Sequence, residues 1–154
     1  MILPSLFIGL SGYMGRGVFT SEDLEADLTI EISPVIIMNA EERKLIDQTA
    51  LHDYIFEWGE DHKQCCMALG YVAVYNHSYQ SNCEYEMDFD AGNITITTVR
   101  PIKAGEELFI NYNGKQLEEK TPVVNAGNRG LRYGDGLFET LKMLDGEIKL
   151  FDFH

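Results

Sequence analysis

Side chains able to bind a ligand are concentrated at positions 76–78, an Asn-His-Ser step that follows the apolar stretch 71–75. Three consecutive side chains there offer hydrogen-bond donors and acceptors, in addition to the backbone groups at the end of the apolar turn. Alone, such a step is typical of a local turn whose polar atoms bond to their own backbone. Polar atoms packed so densely after an apolar run need a partner, and the other motifs decide what that partner is.

The sequence also contains residues that could bind a metal ion. A zinc site can be drawn on paper from His62, Cys65, Cys66, His77 and Cys83, but adjacent cysteines form an awkward tetrahedral pair. We therefore predict no metal site. The three cysteines are odd in number and lack Cys-x-x-Cys spacing, which indicates reduced thiols and predicts a cytoplasmic location.

The elements that must position these residues are mostly strands. A first strand is expected at 5–10, and the apolar character of 1–10 predicts that it is buried. The stretch 1–10 lacks a basic leader and is too short to span a bilayer, so no membrane association is expected. Segments rich in β-branched or alternating residues predict further strands at 18–19, 28–32, 35–38, 83–89, 94–99 and 108–112. Because Pro34 divides 28–38, this region is either two short strands or one interrupted strand.

Turns and a short helix separate the strands. The glycines at 12, 15 and 17 permit a tight backbone excursion, and the turn at 90–93 predicts a hairpin between its flanking strands. Asn39 with Glu42 three positions on resembles a capping box, so a helix is expected at 40–46. The segment 52–58 fits helix or strand by pattern alone.

The end of the chain has a different pattern. The polar stretch 115–121 precedes Pro122 and is typical of a linker. Beyond it, 137–143 and 148–153 alternate around Asp-Gly at 145–146, a strong turn signal, and together they predict a β-hairpin.

The composition favours a basic partner. Twenty-five acidic and twelve basic residues give a net charge of −13, and residues 1–114 alone hold 18 acidic and 6 basic side chains, a balance of −12. Such a chain repels phosphate backbones, which argues against direct nucleic-acid binding. With 154 residues there is room for one domain and a modest appendage.

Four motifs occur in the order and spacing of the SET-domain lysine methyltransferases. They are Gly-Arg-Gly-Val-Phe at 15–19, Tyr-Ile-Phe-Glu-Trp at 54–58, Asn-His-Ser at 76–78 with Asn-Cys at 82–83, and Gly-Glu-Glu-Leu at 105–108 ending in Tyr112. The chain resembles most the small stand-alone members, including a short viral one that methylates a histone tail. The resemblance covers about 5–114 and implies a mostly β fold of several small sheets, with few short helices and a threaded, pseudoknot-like C-terminal segment that brings 76–78 beside the last strand. It favours strand at 52–58, and it implies a SET domain at 1–114 followed by a linker at 115–127.

The same resemblance implies methyl transfer from S-adenosylmethionine to a lysine amine of a basic protein, with a histone-like protein as one candidate. Tyr112 stands at the position of the catalytic tyrosine. The substrate-lysine channel would be lined by Tyr85 together with Tyr112. Cofactor contacts are implied for Gly15, Arg16, Gly17, Tyr54, Asn76 and His77. His77 would act through its main chain, which holds the adenine, and not as a general base.

The tail at 128–154 resembles instead the opening of class IV pyridoxal-phosphate aminotransferases. In that family the lysine that holds the cofactor lies well downstream, so this chain cannot contain a complete transaminase. Many SET relatives supply a channel-closing aromatic from a cysteine-rich segment that is absent here, and Phe138, Phe151 and Phe153 are candidates to replace it.

Two alternatives to an active methyltransferase stay open. One is a SET-like binding module that holds peptide or cofactor without turnover. The other is a part of a bifunctional protein with a truncated aminotransferase. The sequence does not determine the substrate protein, the number of methyl groups added or the oligomeric state.

Overall fold

The computed structural model describes residues 1–12, 14–59, 61–112, 142–144 and 147–149, and the chain divides into two compact units, 1–120 and 121–154. One α-helix and two 3₁₀ helices are present in the described part of the first unit, namely α1 (Ala40–Ile46), Ala50–Tyr54 and Val72–Val74. Its strands are β1 (Leu6–Ser11), β2 (Gly15–Thr20), β3 (Thr29–Met38), β4 (Phe56–Trp58), β5 (Gln64–Ala68), β6 (Asn76–His77), β7 (Cys83–Asp88), β8 (Asn93–Thr98) and β9 (Glu107–Ile110). The prediction of a mostly β fold with few short helices is confirmed.

One sheet has five strands in the order β4-β5-β3-β8-β7, all antiparallel. Its central strand β3 is continuous, so the choice between two strands and one interrupted strand is settled in favour of one. The first part of β3 pairs with β8 and the second part pairs with β5, and Pro34 lies where the partner changes. A residue without an N–H is tolerated there because no continuous ladder runs through it on either side.

The β7–β8 hairpin is confirmed close to the predicted positions. Asp88 closes the turn, since its Oδ1 accepts the N–H groups of Asp90 and Ala91 at 3.0 and 2.8 Å. Ile94 and Ile96 alternate along β8 and are both fully buried. The alternation predicted from the sequence therefore marks the face that packs into the hydrophobic core.

A second sheet has the strand order β1-β2-β9-β6. Three of its strands are antiparallel neighbours, whereas β6 runs parallel to β9, with Asn76 opposite Phe109 and His77 opposite Ile110. This pairing brings the Asn-His-Ser step beside the last strand, as the sequence predicted. The expectation that β1 is a buried strand is wrong, because β1 lies at the sheet edge and exposes Leu10 by 87%, together with Phe7 and Ile8. Apolar character alone is a weak guide to burial.

The helix α1 begins and ends as predicted. Asn39 Oδ1 accepts the N–H of Glu42 at 3.0 Å, and the Glu42 carboxylate accepts the N–H of Asn39 at 2.8 Å, which completes the capping box. The prediction of strand throughout 52–58 is wrong, because Ala50–Tyr54 is a 3₁₀ helix and only Phe56–Trp58 is strand. Thr49 caps that 3₁₀ helix by accepting the Leu51 N–H at 3.2 Å, a local bond that the family pattern did not reveal.

The hydrophobic core of the first unit joins both sheets and includes Val18, Ile30, Val72, Leu108 and Ile110. Cys65, Cys66 and Cys83 are buried free thiols. Among the described residues, no helix is both long enough and apolar enough to cross a lipid bilayer.

The second unit contains β10 (Lys142–Leu144) and β11 (Glu147–Lys149), which pair antiparallel with Leu144 opposite Glu147. Only 145–146 separate them, in agreement with the hairpin expected around Asp-Gly. The outer parts of the predicted hairpin, the linker and the three tail phenylalanines lie outside the described residues.

Candidate functional site

Tyr112 lies two residues beyond the end of β9 and is held there by its main chain. Its N–H donates to His77 Nδ1 at 3.2 Å, and the neighbouring ladder includes the Ser78 N–H bonded to the Ile110 carbonyl at 3.1 Å. The parallel pairing of β6 with β9 therefore fixes the position of the Tyr112 main chain, from which the phenol extends. Without the Asn-His-Ser step, a side chain beyond the end of β9 could not be placed so firmly.

The hydroxyl of Tyr112 has a defined orientation. It donates a short hydrogen bond to the backbone carbonyl of Tyr75. The ring stacks on His77 with 5.3 Å between centroids and meets Phe56 edge-on at 5.8 Å. Because the hydroxyl proton is directed at a carbonyl, a ligand can use the phenol oxygen only as a hydrogen-bond acceptor. Tyr112 is 41% exposed, so a ligand can reach it.

Tyr85 lies against Tyr112, as expected for the wall of a shared channel. Its hydroxyl donates to the Tyr112 carbonyl at 3.3 Å, and its ring packs on Phe56 at 5.8 Å. Burial, and secondly the Glu57 carboxylate, raise the pKa of Tyr85, so the phenol stays protonated and uncharged. We call Phe56, His77, Tyr85 and Tyr112 the aromatic cluster. A lysine amine that enters this cluster would lose hydration, and desolvation favours the neutral form that can attack a methyl group.

His77 is arranged as an uncharged ring. Burial lowers the pKa of its imidazole, and Nδ1 accepts the Tyr112 N–H, so the neutral tautomer carries its proton on Nε2. That Nε2 is buried without a hydrogen-bond partner. The geometry agrees with the expectation that His77 is not a general base, since the basic nitrogen of the neutral ring, Nδ1, already accepts the Tyr112 N–H.

The main chain of His77 faces the unpaired edge of the second sheet. In this parallel pair the Ser78 N–H points to β9, so the N–H and carbonyl of the preceding residue point the opposite way. Among the described residues no strand pairs on that side, because β6 is the last strand in the order of this sheet. These groups can therefore bind the polar edge of a planar ring, which is the role that the family resemblance implies for them.

The glycine loop is tied to the Asn-His-Ser step by the Asn76 side chain. Asn76 Nδ2 donates to the Arg16 carbonyl at 3.0 Å and to Glu107 Oε1 at 2.7 Å, and Ser11 donates to the other oxygen of Glu107 at 2.7 Å. A Cβ on Gly17 would lie 2.1 Å from Glu107 Oε1, so only glycine fits against this network. Gly17 thus permits the strands β2, β6 and β9 to approach closely. The side-chain amide of Asn76 bonds to other groups of the protein.

Gly15 is different, because its φ is 78° and a Cβ there would meet nothing within 4 Å. The open space beside it, the outward main chain of His77 and the unpartnered Nε2 are compatible with S-adenosylmethionine. Tyr54 ends the 3₁₀ helix Ala50–Tyr54 and is half-buried, and the hydrogen bonds and ring contacts above do not include it. The cofactor roles predicted for the whole set stay predictions, namely those of Gly15, Arg16, Gly17, Tyr54, Asn76 and His77.

Sequence reasoning missed three residues of the site. Glu107 lies within one of the four motifs but received no role, although a carboxylate at the start of an apolar strand signals a buried partner. Tyr75 contributes a backbone carbonyl, which no side-chain pattern can reveal. Phe56 lies within the 54–58 motif and completes the aromatic cluster.

Comparisons with known proteins agree with this geometry. The SET domain family model matches residues 15–113. A histone-lysine N-methyltransferase specific for H3 lysine-37 from Schizosaccharomyces pombe is 38% identical over 99 residues, which are 64% of this chain and 66% of that protein. The matched part thus spans just under two-thirds of that relative.

Solved structures show the same architecture. A Plasmodium falciparum protein assigned to the histone methyltransferases is 29% identical with a TM-score of 0.58, and the match covers 74% of this chain and 97% of that one. Chaetomium thermophilum Polycomb Repressive Complex 2 bound to GSK126 matches with a TM-score of 0.62 at 22% identity, over 76% of this chain and 17% of that one. The second likeness shows the fold alone.

Proposed function

The chain belongs to the SET-domain family of protein-lysine methyltransferases, and we propose that it methylates a lysine of a basic, histone-like protein with S-adenosylmethionine as methyl donor. The observation that carries this proposal is the orientation of the Tyr112 hydroxyl, held by the Tyr75 carbonyl at the edge of the aromatic cluster. The histone-methylating relative supports a histone tail as the first substrate to test.

The residues of this chain that would hold the cofactor are those around the glycine loop and the Asn-His-Ser step. The main chain of His77 would bind the adenine, and Gly15 would let the cofactor approach the backbone. When bound, S-adenosylmethionine supplies an electrophilic methyl group from its sulfonium centre. Asn76 keeps the loop in place through the Arg16 carbonyl, so it holds the two halves of the cofactor site together.

The substrate amine has to arrive neutral, although the pKa of a free lysine is about 10.4. The aromatic cluster disfavours the ammonium form, and the Tyr112 oxygen accepts a hydrogen bond from the amine and orients its lone pair. Tyr85 narrows the same space from the side. No base has to contact the amine, because the proton can leave to bulk water while the lysine enters the cluster and loses its hydration.

A basic peptide is supported by the exposed carboxylates of strand β7. Strand β7 is an edge strand that contains Tyr85, and Glu84, Glu86 and Asp88 alternate along its exposed face. These carboxylates would attract lysine and arginine side chains that flank the target lysine. Association should therefore weaken as salt is added, since exposed charges are screened at ionic strengths above about 0.1 M.

The test is methyl transfer from labelled S-adenosylmethionine to a panel of histone tail peptides, with an acidic protein as control. We expect label on lysine in at least one basic peptide and none on the acidic protein. Cofactor binding by calorimetry without transfer to any basic protein would favour the non-catalytic binding module instead. Absence of both binding and transfer would reject the proposal.

Two further predictions rest on sequence alone. If the tail belonged to a pyridoxal enzyme, the purified protein would absorb near the band of bound pyridoxal. The SET family match ends at residue 113, before the tail begins. The cytoplasmic location is tested by imaging a tagged chain in its own cells.

A further inference from the structure

Glu31 is a carboxylate enclosed in the core of the first unit, with no exposed surface. Its Oε1 accepts three hydrogen bonds, from the Ser33 hydroxyl at 2.6 Å and from the N–H groups of Tyr71 and Val72 at 2.7 and 3.2 Å. Gly70 makes room for this arrangement, because a Cβ there would lie 2.2 Å from Oε1. Burying a carboxylate is costly unless it is well satisfied, so this group needs an explanation beyond packing.

The two backbone donors belong to the turn that leads into the site. The 3₁₀ helix Val72–Val74 starts at these N–H groups, and the Val74 N–H closes it on the Tyr71 carbonyl at 2.7 Å. Tyr75 follows directly, and its carbonyl is the acceptor of the Tyr112 hydroxyl. Because the Glu31 carboxylate binds the first turn of this short helix, it also sets the direction of the Tyr75 carbonyl that follows the helix.

The phenol of Tyr75, at the other end of the segment 71–75, also lies near Glu31. The Tyr75 ring is 1% exposed, and its hydroxyl and Glu31 Oε2 are both buried without a hydrogen bond of ordinary geometry. Burial, and secondly the Glu31 charge, raise the pKa of the Tyr75 phenol, so it keeps its proton beside the carboxylate. One oxygen of Glu31 thus binds the start of 71–75, and the carboxylate lies close enough to the Tyr75 phenol at its end to raise the pKa of that phenol.

We propose that Glu31 is a positioning residue for methyl transfer, which binds the start of the segment 71–75, lies beside the phenol at its end, and thereby aims the Tyr75 carbonyl at the Tyr112 hydroxyl. Glu31 touches neither substrate nor cofactor in this role. The inference rests on the proposed function and extends it to a buried residue of β3 outside the aromatic cluster.

The variant Glu31→Gln keeps the shape and one acceptor oxygen but removes the charge that strengthens the three hydrogen bonds. We expect kcat to fall about ten-fold, while KM for peptide and the Kd for cofactor stay within about two-fold. The matched control is Ile94→Val in β8, a fully buried position outside the site, which should lower the melting temperature and leave kcat unchanged.

A double-mutant cycle distinguishes positioning from general destabilisation. If Glu31 acts through the Tyr112 hydroxyl, Glu31→Gln should have almost no further effect on kcat in the Tyr112→Phe background. Additive losses would overturn the proposal, as would wild-type kcat in Glu31→Gln. An equal loss of kcat in Ile94→Val, at a matched melting temperature, would overturn it as well.

If Glu31→Gln does not fold, Tyr75→Phe decides the question, because it removes the phenol and keeps the carbonyl. A fall in kcat that disappears in the Tyr112→Phe background supports the proposal, and an unchanged kcat overturns it. No methyl transfer by the wild-type chain would instead reject the proposed function itself, so the two failures are distinguishable.

Discussion

At the scale of single residues, the donor and acceptor roles of three side chains are settled by their neighbours. The Tyr112 hydroxyl donates to the Tyr75 carbonyl, so towards a ligand its oxygen acts as an acceptor. The ring of His77 receives the Tyr112 N–H on Nδ1, so it is uncharged. Tyr85 donates to the Tyr112 carbonyl and remains protonated. These roles describe a site that orients an amine without a general base.

Tyr85 should limit how many methyl groups are added. Its phenol can hold an ordered water or the amine by a hydrogen bond, which occupies the space through which a methylated nitrogen must turn. We expect the wild-type chain to stop at one or two methyl groups and Tyr85→Phe to add more. A difference of about 1.4 kcal/mol between two orientations suffices for a ten-fold change. Mass spectrometry of the peptide at long reaction times reads the product, and an identical distribution in both proteins would place Tyr85 outside the channel.

His77 should make the fold sensitive to mild acid. Because burial lowers its folded-state pKa, the unfolded chain binds the proton more tightly, and stability falls as the pH drops below about 6.5. We expect the melting temperature to decline between pH 7.5 and 5.5 and His77→Gln to flatten that decline. The carboxylates with lowered pKa, Asp23, Asp61 and Glu106, act only nearer pH 4, so they do not mask the effect. An equal slope in the variant would contradict this role.

At the scale of elements, the sequence predicted those helices and turns that depend on interactions between residues close together in the chain. The capping box gave the bounds of α1, and the 90–93 turn with its alternating flanks predicted the β7–β8 hairpin. The network around Glu107 could not be predicted in this way, because it joins Ser11 to a residue 96 positions away. The same holds for Glu31, whose contacts to the Val72–Val74 turn are 40 and 41 positions distant.

The family pattern supplied part of what local signals could not. It placed the Asn-His-Ser step beside the last strand, which the β6–β9 pairing confirms. It also suggested strand at 52–58, where the Thr49 cap produces a 3₁₀ helix instead. Backbone groups such as the Tyr75 carbonyl have no signature in either kind of pattern.

At Gly17 the strands β2, β6 and β9 approach closely, and Gly17→Ala tests that contact. The new methyl group would meet Glu107 and Asn76, so we expect a loss of about 1–3 kcal/mol in stability and weaker cofactor binding. Denaturant unfolding and calorimetry measure the two effects. In the double variant with Glu107→Ala the losses should be less than additive, because the clashing carboxylate is gone. Full additivity would show that the strain lies elsewhere.

At the scale of the whole molecule, the family match and the hydrophobic core both lie within the first unit. The net charge of −13 is also concentrated in that part of the sequence. The exposed carboxylates of β7 place some of this charge on the strand that contains Tyr85. A basic substrate would therefore meet favourable charge along the strand that also contributes Tyr85 to the aromatic cluster.

Ending the chain after Gly114 tests what the remaining residues contribute. We expect a folded protein with unchanged cofactor affinity, because the core cluster lies entirely before that point. Thermal unfolding and calorimetry provide the measurement. Loss of turnover alone would assign the closing of the lysine channel to the tail, and loss of the fold would show that the tail supports the core.

The central claim is that the Tyr112 hydroxyl orients the lysine for methyl transfer, and single-turnover transfer to a histone peptide by wild type and Tyr112→Phe tests it most directly. The substitution keeps the packing against Phe56 and His77 and removes only the hydroxyl. We predict a rate about a hundred-fold lower with cofactor affinity unchanged. A wild-type rate in Tyr112→Phe would contradict this role of the hydroxyl.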